Sequence, residues 1–287
     1  MPKDVVIETP ALIHIGAQKT ASTWLHKALR QHDAFQFSPL KEVHFFTQVA
    51  GGEASDYLVG RVTERVDLAL ENSRRLAFYK RAYLRQLGDT ARVGSDAWYR
   101  DLFLKNPVIR SRLRRGLDTV LCDFTPHYMT MGREGFEHIR RLLPNAHAML
   151  VIRDPVRRMV SGFSMTINRK PELASATARQ RIEWLESSQP PRGDYRHALE
   201  QLDATGIPYS VFAFRDLVGD PASVVQLLEN TFGLDHQSID FSRVPKANSH
   251  SGRQPIEPEL MERIEAICAP QYAYLRARFG EAFLDRI

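Results

Sequence analysis

The stretch that decides the fold is ALIHIGAQKTASTWL, residues 11–25. A short, mostly apolar run, ALIHI at 11–15, leads to Gly16, and a polar turn of Ala17, Gln18, Lys19 and Thr20 follows. From Ala21 to Gln31 the spacing turns helical, with Trp24, Leu25, Ala28 and Leu29 on one face. The reading is a buried strand, a tight turn and a helix. Such a junction suits an anion, because free N–H groups at a helix N-terminus point at it and the helix dipole favours negative charge. Thr20, Ser22 and Thr23 offer hydroxyls, and Lys19 adds a full positive charge. The plain alternative is a lysine in a polar turn with Ser or Thr capping the helix.

Working outward, short apolar runs alternate with helical spacing. Strands are predicted at 35–37, 119–122, 147–152 and 209–214. Helices are predicted at 132–143, at 155–167 with Pro155 in the first turn, and from Asp220-Pro221 to about 232. A last helix covers about 258–279, with Pro270 as its candidate break, and 55–115 reads as mostly helical. Strands separated by helices imply a parallel sheet covered on both faces, with ligands beyond the carboxyl ends of the strands. No Pro/Gly/Ser-rich linker divides the chain, so 1–287 reads as one α/β domain with a helical insertion at about 47–117.

Composition excludes several classes. Of 287 residues, 43% are hydrophobic and 25% charged, which rules out a disordered tail, a collagen-like chain or a disulfide scaffold. No apolar run is long enough for a membrane helix, and the N-terminus lacks the apolar core of a signal peptide. Cys122 and Cys268 stand far apart, as buried thiols of a reducing, cytoplasmic compartment would. There is no HExxH and no cysteine cluster, hence no expected metal site. The net charge of +5 is concentrated between Thr47 and Leu117, where 12 Arg and 2 Lys face 8 acids. That suits an anionic partner or simply solvated helix faces. No helix-turn-helix, zinc finger or RNP-like pattern points to nucleic acid.

A second segment, LVIRDPVRRMVS at 150–161, follows a strand and opens a helix. Arg153 at the strand end and Ser161 two helical turns on can both reach one phosphate. The plain alternative for Arg153-Asp154 is a surface ion pair. The turn at Gly16 is not GxxxxGK[ST], because Gln18 precedes Lys19. A nucleotide kinase with a variant phosphate loop is therefore the second reading.

GAQKTASTWL at 16–25 resembles the 5′-phosphosulfate loop of sulfotransferases that use 3′-phosphoadenosine 5′-phosphosulfate (PAPS), with Ala21 for the common glycine and Ser22 for the common threonine. The segment from Arg153 to Ser161 resembles their RxPxxRxxS motif for the 3′-phosphate. KEVHFF at 41–46 is similar to the KEPHFF stretch of the heparan sulfate type and of many bacterial relatives. Trp98-Tyr99 to Phe103, then DFTPHY at 123–128, and Cys268 to Gly280 resemble further family segments. The match is weakest at 47–97 and 165–207, which are therefore expected to be acceptor-specific.

The resemblance implies a P-loop-NTPase-like α/β fold and transfer of a sulfuryl group from PAPS to a hydroxyl, without a metal, releasing 3′-phosphoadenosine 5′-phosphate (PAP). It implies Gln18, Lys19, Thr20, Ala21, Ser22, Thr23, Arg153 and Ser161 as donor-binding residues, with Trp24 under the adenine or else simply in the core. Ser251 and Arg253 would belong to a late loop over the phosphates. Lys19 would neutralise the leaving group and Glu42 would act as general base. His44 and His127 are competing bases. The expected acceptor is a carbohydrate, glycolipid or small natural product, with an anionic one favoured by the basic insertion. Phe124, where heparan-type enzymes often carry lysine, and Thr47, where they often carry aspartate, argue against a heparan-like acceptor.

Overall fold

The apolar runs become strands of one parallel sheet. The computed structural model describes residues 5–50, 53–71, 78–245 and 256–287. Its strands are β1 (Ala11–Gly16), β2 (Phe35–Phe37), β3 (Val49–Ala50), β4 (Glu53–Ala54), β5 (Val120–Phe124), β6 (Ala146–Ile152) and β7 (Tyr209–Ala213). The main sheet has the order β2-β5-β1-β6-β7, and β3 and β4 form a small antiparallel ribbon. β1 is central, with Ala11 opposite Leu121 on one side and Ala146 on the other. Every residue of β1 and β5 is buried, as strands covered on both faces must be.

The helices are α1 (Ser22–Leu29), α2 (Phe45–Gln48), α3 (Asp56–Glu71), α4 (Phe78–Leu87), α5 (Asp96–Leu104), α6 (Pro107–Arg114), α7 (Arg133–Leu142) and α8 (Pro155–Ile167). They continue with α9 (Pro171–Ala174), α10 (Ala178–Ser188), α11 (Tyr195–Thr205), α12 (Phe214–Gly219), α13 (Pro221–Phe232), α14 (Pro258–Phe279) and α15 (Glu281–Leu284). Alternation along each strand sends residues to opposite faces. Leu12, Cys122, Met149 and Val151 pack with Leu25 and Leu29 of α1 and Val224 and Leu228 of α13. Ile13, Ile15, Leu121 and Leu150 pack with Phe136 and Ile139 of α7 and Leu199 and Leu202 of α11. Among the described residues no helix is long and apolar enough to cross a membrane.

One expectation needs correction. α14 does not break at Pro270 but runs through it. Leu260, Ile264 and Cys268 before the proline, and Leu275 after it, are all buried, so packing on both sides offsets the lost backbone bond. The insertion also holds more than helix, since the β3–β4 ribbon precedes α3. Its cations divide. Lys80, Arg110, Arg114 and Arg115 line a groove of roughly 1180 Å³ that none of the site residues lines, whereas Arg61 and Arg65 lie near Glu42 and His44.

His14 sits inside β1, fully buried, with neither ring nitrogen hydrogen-bonded among the described residues. Burial lowers its pKa to about 4, and that of His26 to about 4 as well. The unfolded chain, near 6.5, therefore takes up these protons first as the pH falls. Their stabilising effect is complete above about pH 6.5 and is lost toward pH 4, by about 1 kcal/mol per pH unit per histidine. Urea midpoints from pH 7 to 5 should fall accordingly, and His14→Leu should flatten the curve by one proton. A variant curve parallel to wild type would mean that His14 is not held neutral.

Candidate active site

The turn after β1 is tied down at both ends. A side chain at Gly16 would put its Cβ 2.8 Å from Met129 Sδ, so the close approach of η-turn and strand requires glycine. Ala17 N donates to the Val151 carbonyl of β6 (3.1 Å), and Thr20 Oγ1 donates back to the Ala17 carbonyl (2.6 Å). Lys19 (φ 72°) and Ala21 (φ 62°) are left-handed, a conformation that costs a non-glycine residue roughly 1–2 kcal/mol. That accounts for the glycine common at the position of Ala21. Lys19 Nζ lies 3.5 Å from Met165 Sδ on α8.

α1 starts without a side-chain cap and without an acid in its first turn. Ser95, Asn106, Asp154, Thr177, Asp194 and Asp220 cap α5, α6, α8, α10, α11 and α13, and the likewise uncapped α7, α12 and α14 carry an acid in the first turn, Glu134, Asp216 and Glu259. The α1 terminus thus offers its N–H groups to an external anion.

Arg153, at the end of β6, connects to this turn directly. Its Nη1 donates to the Lys19 carbonyl (2.8 Å), and its guanidinium lies 4.7 Å from the Phe214 ring centroid. Tyr195 Oη fixes its backbone by donating to the Arg153 carbonyl (2.7 Å). Asp154 instead caps α8, accepting from Arg157 N (2.7 Å) and from Tyr272 Oη (2.7 Å). Ser161 lies on α8 and is largely buried. Arg158, which the sequence reading did not single out, is 1% exposed and donates Nη2 to the Gln189 carbonyl (3.3 Å). It supports α8 from behind, against Gly193, where a Cβ would come within 2.5 Å of its Nε.

The segment leaving β2 brings the third group. Lys41 Nζ donates to Thr23 Oγ1 (2.5 Å) and sits 3.4 Å from Glu42 Oε1. Glu42 is therefore no farther from Thr23 than these two contacts together. Arg61 Nε donates to the Glu42 carbonyl (3.1 Å), and its Nη2 lies 3.6 Å from Glu42 Oε2. Glu42 (φ 53°) and His44 (φ 60°) are left-handed as well, so all four positive-φ non-glycine residues of the described chain belong to these two segments. Strained backbone concentrates where a site demands it.

His44 is buried, and its Nδ1 has no hydrogen-bond partner among the described residues. Its ring is 5.5 Å from that of His127 and 5.8 Å from that of Tyr57. Burial, then the charge of Arg61, lowers its pKa to about 3, and burial and Arg192 lower that of His127. Phe45 and Phe46 are buried against Tyr99, at 4.6 and 4.9 Å. Tyr99 Oη (3.0 Å), Tyr128 Oη (2.8 Å) and Thr125 Oγ1 (2.7 Å) all donate to buried Asp123, whose carboxyl burial pushes up. The Trp98-Tyr99 and DFTPHY segments thus meet in one hydrogen-bond cluster beneath the site.

Trp24 is half-buried and stacks on Phe241 at 5.6 Å. Ser251 and Arg253 lie outside the described residues. Gln18, Ser22 and Thr23 flank the turn as expected, all partly exposed.

A model of a sulfotransferase family matches residues 10–238, which span the Gly16 turn, the Arg153–Ser161 segment and the sheet. The chain belongs to the sulfotransferase family. Comparison with curated proteins gives no match. Among solved structures, the sulfotransferase fold here is similar to the sulfotransferase from Alicyclobacillus acidocaldarius, at a TM-score of 0.58 and 19% identity, over 94% of this chain and 96% of that one. It is similar to the sulfotransferase domain of the Synechococcus PCC 7002 olefin synthase, at 0.54 and 17%, over 93% and 98%. It is also similar to the sulfotransferase domain of the curacin biosynthetic pathway, at 0.53 and 13%, over 93% and 98%.

Proposed function

We propose that this sulfotransferase takes its sulfuryl group from PAPS and delivers it to an acceptor hydroxyl, with Glu42 as general base. The observation that carries the donor reading is the hydrogen bond from Arg153 to the Lys19 carbonyl, which joins two segments 134 residues apart. The donor set fits a nucleotide with phosphates at both ends: an uncapped helix terminus beside a lysine, and an arginine at the end of β6 followed by a serine on α8. Bound PAPS supplies an activated sulfuryl group and a phosphate leaving group.

The residues divide the work. Lys19, the α1 N–H groups and the side chains of Gln18, Thr20, Ser22 and Thr23 hold the 5′ end, with Ala21 shaping the turn. Arg153 and Ser161 hold the 3′-phosphate, with Ser251 and Arg253 over it, and Trp24 carries the adenine on the face that Phe241 leaves. Lys19 neutralises charge on the bridging oxygen as the bond to sulfur breaks. Glu42 takes the acceptor proton as the new oxygen–sulfur bond forms. His44 and His127 are the competing bases, and burial holds both imidazoles less basic than usual. The acceptor is a carbohydrate, a glycolipid or a small natural product, and α3 within the 47–117 insertion borders its side of the site.

Calorimetric titration with PAP, against ADP as control and without magnesium, tests the donor. The two nucleotides differ in the 3′-phosphate and the β-phosphate. Charge-assisted bonds to the 3′-phosphate should favour PAP by about 10- to 100-fold. Equal binding, or a magnesium-dependent preference for ADP, would return the protein to the kinase reading.

A further inference from the structure

Cations from three parts of the chain converge on the corner formed by Glu42, His44 and His127. Lys41 comes from the exit of β2, and Arg61 and Arg65 stand one turn apart on α3. Arg192 comes from the 3-10 turn Pro190–Gly193. The turn Pro190–Gly193 packs against the 3-10 turn Tyr128–Thr130 that directly follows His127, so Arg61, Arg65 and Arg192 all lie within electrostatic reach of the His44 ring and Arg192 within reach of His127. The carboxylate that answers them is Glu42, already engaged by Lys41 and by Arg61. Neither Arg65 nor Arg192 has an ion-pair partner among the described residues, although both are partly buried. Arg61 Nη2 is buried without a hydrogen bond. Several surface arginines are matched, Arg133 with Glu137, Arg179 with Glu183 and Arg196 with Glu200, and unmatched ones such as Arg85, Arg110 and Arg157 are exposed to water, whereas Arg65 and Arg192 are not. Glu42 and exposed Glu64 act on Arg65 only at a distance, and partly buried guanidinium groups without a contacting carboxylate carry a desolvation cost that an anion from outside offsets. Tyr57, half exposed, adds a flat apolar surface, with its ring 5.8 Å from His44 and its hydroxyl 3.5 Å from Arg61 Nη1.

We infer that the acceptor carries its own anionic oxyacid group, a carboxylate or a sulfate ester, close to the hydroxyl that is modified, and that Arg65 and Arg192 hold it. This rests on the proposed function, in which Lys19 and Arg153 serve the donor and Glu42 faces the acceptor. The two arginines come from 47–97 and 165–207, the segments where the family resemblance is weakest. In this reading the acceptor is held by segments other than those that hold the donor. A forked guanidinium pair suits a planar carboxylate or a sulfate ester better than a neutral sugar.

The test titrates PAP first, then, with PAP saturating, p-nitrophenyl β-D-glucuronide and p-nitrophenyl β-D-glucoside, which differ in one carboxylate. The glucuronide should bind at least 10-fold more tightly. Arg65→Gln with Arg192→Gln should remove that preference while the PAP affinity, which also reports folding, stays within about threefold. Equal affinities for the pair, no glucuronide binding at millimolar concentration, a preference that survives both substitutions, or competition between glucuronide and PAP would each overturn the assignment. Failure of PAP to bind would strike the donor reading instead, and it is seen in the first titration.

Discussion

Glu42→Gln is expected to lower kcat by about 10²- to 10⁴-fold, the usual contribution of a positioned general base. PAP affinity should stay within about threefold. The substitution keeps the shape of the side chain and leaves an amide oxygen for Lys41 and Arg61, which now contact the carboxylate at 3.4 and 3.6 Å. It removes only the capacity to accept a proton. Single-turnover assays with PAPS and a working acceptor separate this from product release. Turnover near the wild-type rate would take the base role from Glu42 and pass it to His127 or His44, despite their depressed basicity.

Arg153→Ala should weaken PAP binding by about 100-fold or more and adenosine 5′-phosphate binding by much less. A charge-assisted fork on the 3′-phosphate is lost only for PAP. Some loss must appear with both nucleotides, because the same guanidinium also holds the Lys19 carbonyl at 2.8 Å. The difference between the two losses measures the 3′-phosphate contact, and the shared part measures the loop. Equal losses would reject the 3′-phosphate role and leave Arg153 as a brace for the turn.

Most of the sheet was legible because its strands are buried on both faces and so read as unbroken apolar runs. β2 and α8 have the bounds that the sequence suggests, and β1, β5, β6 and β7 differ by a residue or two at their ends. α9 to α11 were not foreseen, because 165–207 mixes polar residues with short apolar groups; α9 and α10 take their order from packing on α8 and α14, and α11 from packing on the sheet and α7. The β3–β4 ribbon is two residues a side, below what periodicity can reveal.

The candidate site was legible where chemistry sits in contiguous residues: Gly16 to Trp24, Lys41 to His44, and Arg153 to Ser161. What escaped were the contacts between segments. Nothing in sequence spacing says that Lys41 reaches Thr23, or that Arg61 lies against Glu42. Asp123 was visible as part of a motif, but its three hydroxyl donors come from two segments joined only in the fold. Arg192 gave no signal, being one arginine among many. A count of arginines without a carboxylate four residues away would have narrowed the field.

In the proposed donor site, the bond from Arg153 to the Lys19 carbonyl would also couple the two ends. A group that fixes Arg153 restricts the turn that must receive the other end of the nucleotide, and the reverse holds by the same factor. Two separate fragments, one mimicking each phosphate, would therefore help each other to bind even without a bond between them. Selectivity for a doubly phosphorylated nucleotide then exceeds what its two ends contribute singly, and a molecule presenting only one of them forfeits the coupling as well as the missing contact.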